Sequence, residues 1–528
     1  MNEDTQPHLD RRACYRALAS RDARFDGRFF VAVRTTGIYC RPVCRVRLPR
    51  LENVEFFACA AAAESRGFRA CRRCRPESAP GSSAWLGTEA TVARALRLVD
   101  AGLLDNAAVG DLADRVGVGE RHLRRLFDRH LGVAPNDLAL TRRLHLARRL
   151  LDDSSLKISD VALAAGFGSV RRFNDAMRTA FGFTPGVLRG SARRPGADRL
   201  RGARSSQVAH RPRLELKLAY RPPYDWNAML AFLAPRAVAG VEAVIGDSYM
   251  RVLRSADGHA LVRVTCDRAR NHLLLAADFD HPRVVDLLYR GAARVFDTSA
   301  DPAAVGEVLG RDALLAPLLA ARPGLRVPGC WSAWEAAVRA VVGQQISVTA
   351  AGSVLARLAD RFGARVAAAP RQDGPDIAVP QPAELACIGD ADLDGLGLTR
   401  TRAATLRELA RAVDTGAIDL GDGADPAAAR ASLLELRGIG PWTAEYVALR
   451  GLGDPDALPD ADLGLLHALG GDGARATGRQ LRARAESWRP WRSYAVVHLW
   501  NGLAARSVDG ARRPKPRAHV TAKSESIP

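Results

Sequence analysis

The sequence predicts a multidomain α+β fold: a small metal-ordered domain, an all-α segment, a sheet-bearing segment and a longer helical one. Three observations predict it. The chain has 528 residues, more than one core organises, and at roughly 100–200 residues per domain it should hold about three to four domains. Four of its nine cysteines form two close pairs, Cys40 with Cys44 and Cys71 with Cys74, whereas Cys14, Cys59, Cys266, Cys330 and Cys387 are scattered. In a reducing compartment close pairs suggest metal and scattered thiols suggest core packing. Finally, helical apolar spacing after the cysteines gives way to runs of β-formers, LELKLAY, ALVRVTC and HLLLAADF, and then returns.

The formal net charge is +19 and the sequence pI about 10.3, and arginine supplies most of the excess. Guanidinium groups pair with phosphate in planar, bidentate fashion, so nucleic acid is the leading partner class. No uninterrupted apolar run reaches the ~20 residues of a membrane helix, and the opening MNEDTQPHLDRR lacks the apolar core of a secretory signal. A cytoplasmic, bacterial-type, nucleoid-associated protein without membrane partners is expected.

Composition shifts set the expected joints. Residues 1–80 form the metal-ordered domain, closed by the turn-rich SAPGSSA of residues 78–84. Residues 85–189 are helical, and 190–212, rich in Arg, Gly and Ser without apolar period, read as a flexible basic linker. Residues 213–300 carry the strands; 301–506 are mainly helical, interrupted by the Pro- and Gly-rich loop 367–382; and 507–528 read as a disordered, solvated tail.

The paired cysteines lie in CRPVC and CRRC, a C-x3-C and a C-x2-C that suit tetrahedral zinc. Four unrelated buried cysteines are the competing reading. The surrounding FVAVRTTGIYCRPVCRVR and ENVEFFACAAAAESRGFRACRRCRP resemble the amino-terminal domain of the Ada family. That resemblance implies that Cys40 is both a zinc ligand, with Cys44, Cys71 and Cys74, and the acceptor of a methyl group from a DNA methylphosphotriester. The chemistry is reasonable there, because a zinc-bound thiolate stays ionised at neutral pH, while Arg34, Arg41, Arg45 and Arg47 could hold flanking phosphates. Methylation would remove one negative charge and lessen repulsion from DNA. An inert structural zinc site is the alternative.

Residues 108–131 carry an apolar helical stripe, glycines at Gly117 and Gly119, and a basic helix with Arg121, Arg124 and Arg125. Residues 158–182 repeat the plan, with a turn near Gly166 to Gly168 and a helix bearing Arg171, Arg172 and Asn174. A scaffold helix followed by a basic one suits major-groove docking, although an ordinary helical bundle with solvated arginines has the same pattern. The duplicated helix-turn-helix units and GFGSVRRFNDAMRTAFGFTP resemble the AraC-type DNA-binding family. Arg124 and Asn174 are candidate base readers, and neighbouring arginines position phosphate. Promoter DNA and RNA polymerase are the partners this implies.

In LLELRGIGPWTAEYVALRGLG, Gly438 and Gly440 permit a tight hairpin between two helices whose exposed amides can bind a DNA phosphate. Together with YRPPYDWNAMLAFLAPRAVAGVE, RAVVGQQISVTAA, LPDADLGL and SWRPWRSYAVVHLW, it resembles the AlkA-type 3-methyladenine DNA glycosylases of the helix-hairpin-helix superfamily. The resemblance implies a flipped-base pocket lined by Phe232, Trp442, Tyr446 and Trp500, with Gln345 wedged into the duplex and Asp462 as the catalytic carboxylate. Asp460 competes for that role, and helix capping is the structural alternative for both aspartates. Bifunctional relatives carry lysine two residues after the last hairpin glycine; Trp442 stands there, implying hydrolysis without strand cleavage. No cysteine lies beyond Cys387 for an iron-sulfur cluster, and no Pro-Cys-His-Arg segment suggests a second methyl acceptor. The expected cofactor is zinc, and the expected partners are double-stranded and alkylated DNA. Two other readings stay open: a DNA-binding regulator with a catalytically inactive glycosylase-like half, and a damage-targeting front half with no promoter.

Overall fold

The computed structural model describes residues 10–76, 79, 90–192, 213–366, 374–389, 391–470 and 475–512. Helix α1 (Arg11–Ser20), capped by Asp10, packs on a sheet of β1 (Phe30–Val33), β2 (Ile38–Cys40), β3 (Val54–Phe57) and β4 (Arg69–Ala70), with α2 (Ala60–Ser65) inserted before the last strand. The sheet order is β3-β1-β2-β4. Its two faces bury separate apolar clusters, so this small domain has two thin cores rather than one thick one.

A run of helices follows: α3 (Ala90–Asp100), α4 (Leu103–Asn106), α5 (Val109–Val116), α6 (Glu120–Leu131), α7 (Pro135–Asp153), α8 (Ile158–Ala164), α9 (Val170–Phe181) and α10 (Pro185–Ala192). Pairs α5/α6 and α8/α9 are the two expected helix-turn-helix units, and Gly117 and Gly166 turn them with φ of +77° and +80°, where a side chain would be strained. The long helix α7 joins them. The expected linker starts later than residue 190 because α10 runs to Ala192; the rest of it, the SAPGSSA break except Ala79, and residues 367–373 of the Pro- and Gly-rich loop lie outside the described residues.

A five-stranded antiparallel sheet comes next, built from β5 (Arg213–Ala219), β6 (Glu242–Ile245), β7 (Ser248–Ser255), β8 (Gly258–Asp267) and β9 (His272–Phe279) in the order β5-β9-β8-β7-β6. Helix α11 (Trp226–Leu233) lies between β5 and β6. The remaining helices are α12 (Val284–Val295), α13 (Pro302–Leu309), α14 (Ala316–Ala321), α15 (Ala333–Gly343), α16 (Val348–Phe362), α17 (Pro382–Ala386), α18 (Arg400–Asp414), α19 (Pro426–Glu435), α20 (Pro441–Arg450), α21 (Leu463–Gly470), α22 (Gly478–Ala485) and α23 (Arg492–Arg512). The tail expected from residue 507 is corrected here: no proline interrupts the chain before Pro514, so α23 continues to Arg512, and residues 513–528 are outside the description. Among the described residues no helix is long and apolar enough to cross a membrane.

Apolar packing crosses the boundary between the second helix-turn-helix unit and the sheet. Leu146 and Leu150 of α7, Val161 of α8 and Phe173 of α9 share one buried cluster with Leu214, Leu216, Val262 and Leu288. The first unit keeps its own cluster. A bridge pairs Ser154 with Leu214, and Arg142 spans Asp105 at 2.5 Å and Asp286 at 3.2 Å.

A charged seam joins the sheet to the carboxy-terminal helices. Arg251 of β7 binds Glu242 of β6 at 3.0 Å and Glu335 of α15 at 2.7 Å, while Arg339 of α15 binds both carboxylates. Arg251, Glu335 and Glu242 are buried, so the network survives only because each charge has an opposite partner. Burial opposes ionisation of Glu335, yet Arg251 and Arg339 draw its carboxyl down from 4.5 to about 2. A depressed carboxyl pKa stabilises the fold fully above the unfolded value, and this contribution is lost as pH falls from about 4.5 toward 2. Glu335→Gln should therefore lose roughly 3–5 kcal/mol at neutral pH and much of the acid dependence in that window, measured by denaturant unfolding. Unchanged stability would show that the seam does not hold these layers together.

Candidate active site and zinc centre

The hairpin between α19 and α20 is shaped by Gly438, whose φ is +89° and where an added Cβ would collide with Thr405 Oγ1. Gly440 faces open space at the N-terminus of α20, leaving room for a phosphate to approach. Gln344 braces this hairpin from the neighbouring loop, with Nε2 donating to the Gly438 carbonyl at 2.9 Å and to Thr443 Oγ1 at 3.2 Å. Gln345, the next residue, is exposed and held at φ +55°. Its backbone is therefore strained where its side chain projects. The sequence singled out Gln345 and missed its anchoring neighbour, although both belong to GQQIS.

Three elements bring the aromatic residues together. Trp442 and Tyr446 sit one turn apart on α20 and stack with ring centroids 5.2 Å apart, while Phe232 of α11 and Trp500 of α23 face each other at 6.5 Å and 23°. Asp462 connects these groups: Oδ2 accepts the indole N–H of Trp442 at 3.0 Å, and Oδ1 accepts that of Trp500 at 3.1 Å. Oδ1 also accepts the Leu465 N–H at 3.0 Å, so Asp462 caps the first turn of α21 as well. Asp460 is in a different situation, ion-paired with Arg482.

Two arginines that the sequence reading passed over stand against the same rings. The Arg236 guanidinium carbon is 3.8 Å from the Phe232 centroid, and that of Arg450 is 4.7 Å from it. Arg450 also donates to Tyr446 Oη at 2.9 Å and to the Gly329 carbonyl at 3.2 Å. Arg236 lies in the 3-10 turn Ala234–Arg236 that directly continues α11, which returns its side chain to Phe232.

In the amino-terminal domain, Cys40 ends β2, Cys44 follows one turn later, and Cys71 and Cys74 follow β4. Their sulfurs all lie within 4.8 Å of one another. Tetrahedral zinc with bonds of about 2.3 Å needs sulfurs about 3.8 Å apart, so four thiolates and their spacing fit zinc. Cys40 and Cys44 are buried and Cys74 is partly exposed. Arg45 and Arg47 are exposed; Arg34 is exposed but donates to the Glu52 carbonyl. Arg41 departs from expectation. Its guanidinium is drawn inward by the buried Asp26 and donates to the Cys74 carbonyl at 3.3 Å, which fixes it as a brace of the cysteine loops rather than a phosphate contact.

Both candidate reading helices present their basic residues outward. Arg121, Arg124 and Arg125 of α6 are exposed, with Arg124 paired to Glu120 at 2.6 Å and Arg125 donating to His122 at 2.8 Å. Arg171 and Arg172 of α9 are exposed and Asn174 is half-buried. An exposed i,i+4 pair such as Arg124 with Glu120 is worth only about 0.3–0.5 kcal/mol, little hindrance to a phosphate or base.

The chain matches four families in succession: the metal binding domain of Ada over residues 13–77, a helix-turn-helix domain over 112–191, the AlkA N-terminal domain over 215–332, and the HhH-GPD superfamily of base excision DNA repair proteins over 338–493. It is 39% identical over 286 residues to DNA-3-methyladenine glycosylase 2 of Escherichia coli, covering 54% of this chain and 95% of that one. It is 40% identical over 121 residues to the bifunctional transcriptional activator/DNA repair enzyme Ada of the same organism, covering 23% and 33% respectively. Both likenesses meet in one relative, the probable bifunctional transcriptional activator/DNA repair enzyme AlkA of Mycobacterium tuberculosis, 41% identical over 496 residues that cover 94% of this chain and 97% of that one. With its zinc centre, paired helix-turn-helix units and helix-hairpin-helix half in the same order, the chain belongs to this family of bifunctional AlkA transcriptional activator/DNA repair enzymes.

Proposed function

We propose that this protein releases 3-methyladenine and related alkylated bases from duplex DNA by monofunctional hydrolysis, and that it senses alkylation by accepting a methyl group at Cys40 and acting on transcription. The observation that carries the first part is the clamp on Asp462. An ionised carboxylate offers about four acceptor sites; Trp442, Trp500 and Leu465 occupy three, which leaves one on Oδ2. A sugar that becomes oxocarbenium-like as its base departs would find a fixed negative charge there. Asp460 lacks this character because Arg482 neutralises it. Gln345 fills the space vacated by the extruded nucleotide, while amides near Gly440 hold the backbone.

For methyl transfer, the choice of Cys40 is supported by the likeness of residues 13–77 to the metal binding domain of Ada. Backbone N–H groups of Val46, Cys74 and Arg41 are directed at Cys44, Cys71 and Cys74 respectively. An N–H donor stabilises a thiolate and so blunts its attack. Zinc held by the four cysteines keeps the sulfur ionised at neutral pH. Cys40 sulfur then bonds to the methyl carbon as the carbon–oxygen bond of the phosphotriester breaks, leaving a phosphodiester anion. Exposed Arg45 and Arg47 are placed to pair with flanking phosphates.

Asp462→Asn should reduce single-turnover release of 3-methyladenine by about 10²–10³-fold with little loss of DNA binding, whereas Asp460→Asn should retain most activity. The abasic strand should stay intact until treated with alkali. Near-normal release by the Asp462 variant would refute its assignment. For the amino-terminal domain, peptide mass mapping after exposure to methylphosphotriester DNA should find one methyl group, on Cys40, and Cys40→Ser should abolish it. A methyl group found solely on Cys44, Cys71 or Cys74 would overturn this choice.

A further inference from the structure

Resting on the excision reading, we propose that Arg236, seconded by Arg450, sets charge-state selectivity in the base pocket by opposing a cationic base in the bound ground state and favouring its release as a neutral one. Arg236 and Arg450 differ from the arginines of the neighbouring seam. Arg251 and Arg339 are neutralised by Glu242 and Glu335, but among the described residues Arg236 and Arg450 make no ion pair. Arg236, in the 3-10 turn Ala234–Arg236 that follows α11, donates at 3.0 Å to the Phe232 carbonyl, and Arg450 donates to a phenol and a carbonyl, leaving both charges without an acidic partner among the described residues. Burial and then the nearby Arg450 push Arg236 down to about 10, so it keeps its proton at neutral pH.

Both guanidinium carbons lie within 5 Å of the Phe232 centroid, at 3.8 and 4.7 Å. A base seated against Phe232 is therefore within a Debye length, about 8–10 Å, of two fixed cations. The aromatic walls attract a cationic alkylpurine, and the arginines subtract from that attraction. Bond cleavage reverses the balance. As the C1′–N bond breaks, its electron pair passes to the base nitrogen, and the base loses its formal charge. Positive charge moves to the sugar beside Asp462, and water then adds at C1′ and gives up a proton. Repulsion present before cleavage is relieved at the transition state, which raises the rate without tightening binding. A neutral damaged base instead gains negative charge as it departs, before taking a proton from solvent, and the same arginines stabilise that charge.

Single-turnover release should be measured on duplexes containing one 7-methylguanine, which is cationic, or one hypoxanthine, which is neutral, using the full chain, Arg236→Gln and Arg236→Lys. Arg236→Gln should lower the half-saturating enzyme concentration for the 7-methylguanine duplex by roughly fivefold to tenfold and lower its maximal rate by a similar factor. For hypoxanthine the maximal rate should fall without that gain in binding. Arg236→Lys, which keeps the charge, should restore the wild-type pattern, and Arg236→Met provides a second neutral variant if the glutamine fails to fold. Equal changes in half-saturation for both bases, or a lysine variant indistinguishable from glutamine, would overturn the proposal and leave Arg236 a packing residue. Wild-type protein that releases neither base would overturn the excision reading itself.

Discussion

Glu242, Arg251, Glu335 and Arg339 exchange charge-assisted hydrogen bonds across the seam between the sheet and the helices, and the geometry of the aromatic cluster around Asp462 depends on that exchange. Phe232 belongs to a helix packed with the sheet, whereas Trp442 and Trp500 belong to the helical half. The network reaches that cluster directly, because Arg339 also donates at 2.8 Å to the carbonyl of Arg236, whose guanidinium lies against Phe232. Apolar layers can slide by fractions of an ångström at small cost, but buried paired charges tolerate little displacement before one is left unpaired. The facing of Phe232 and Trp500 thus inherits its precision from charged groups outside the aromatic cluster.

Features that depend on local rules were legible in the sequence. The cysteine spacing announced the metal centre, Gly117 and Gly166 announced their turns, and LELKLAY and HLLLAADF became β5 and β9. Strands β6 and β7 were passed over, although the Gly246-Asp247 turn between them, with φ of +58° at the glycine, is a hairpin signal. Arg41 was misread for another reason. Its fate is set by Asp26, fifteen residues earlier and brought beside it only by the folding of the small domain, so no motif centred on the cysteines could disclose it. Likewise Asp460 and Asp462 look alike in LPDADLGL, and what separates them is an arginine twenty-two positions away and two distant indoles.

The zinc centre is also tied mechanically to the helices that follow. Tyr39, which precedes the first zinc ligand, donates to Glu64 at 2.6 Å, and the same carboxylate accepts from Thr141 at 2.7 Å and contacts His145 at 3.2 Å on α7. Burial pushes the Glu64 carboxyl up, but His145, Tyr39 and Thr141 together hold it below its ordinary value. One carboxylate therefore serves the residue beside Cys40 and the helix connecting the two helix-turn-helix units, so displacement at either end is felt by the other.

The apolar cluster shared by α7 to α10 and the sheet gives the polypeptide a second connection between its regulatory and repair halves, independent of the covalent one through residues 193–212. A protease that cut the backbone in that stretch would leave Leu150 and Phe173 still packed with Leu214 and Leu288. The nicked product would travel as one particle under native conditions and part into two only when denatured. The two halves resist separation because each covers apolar surface that the other would otherwise expose to water.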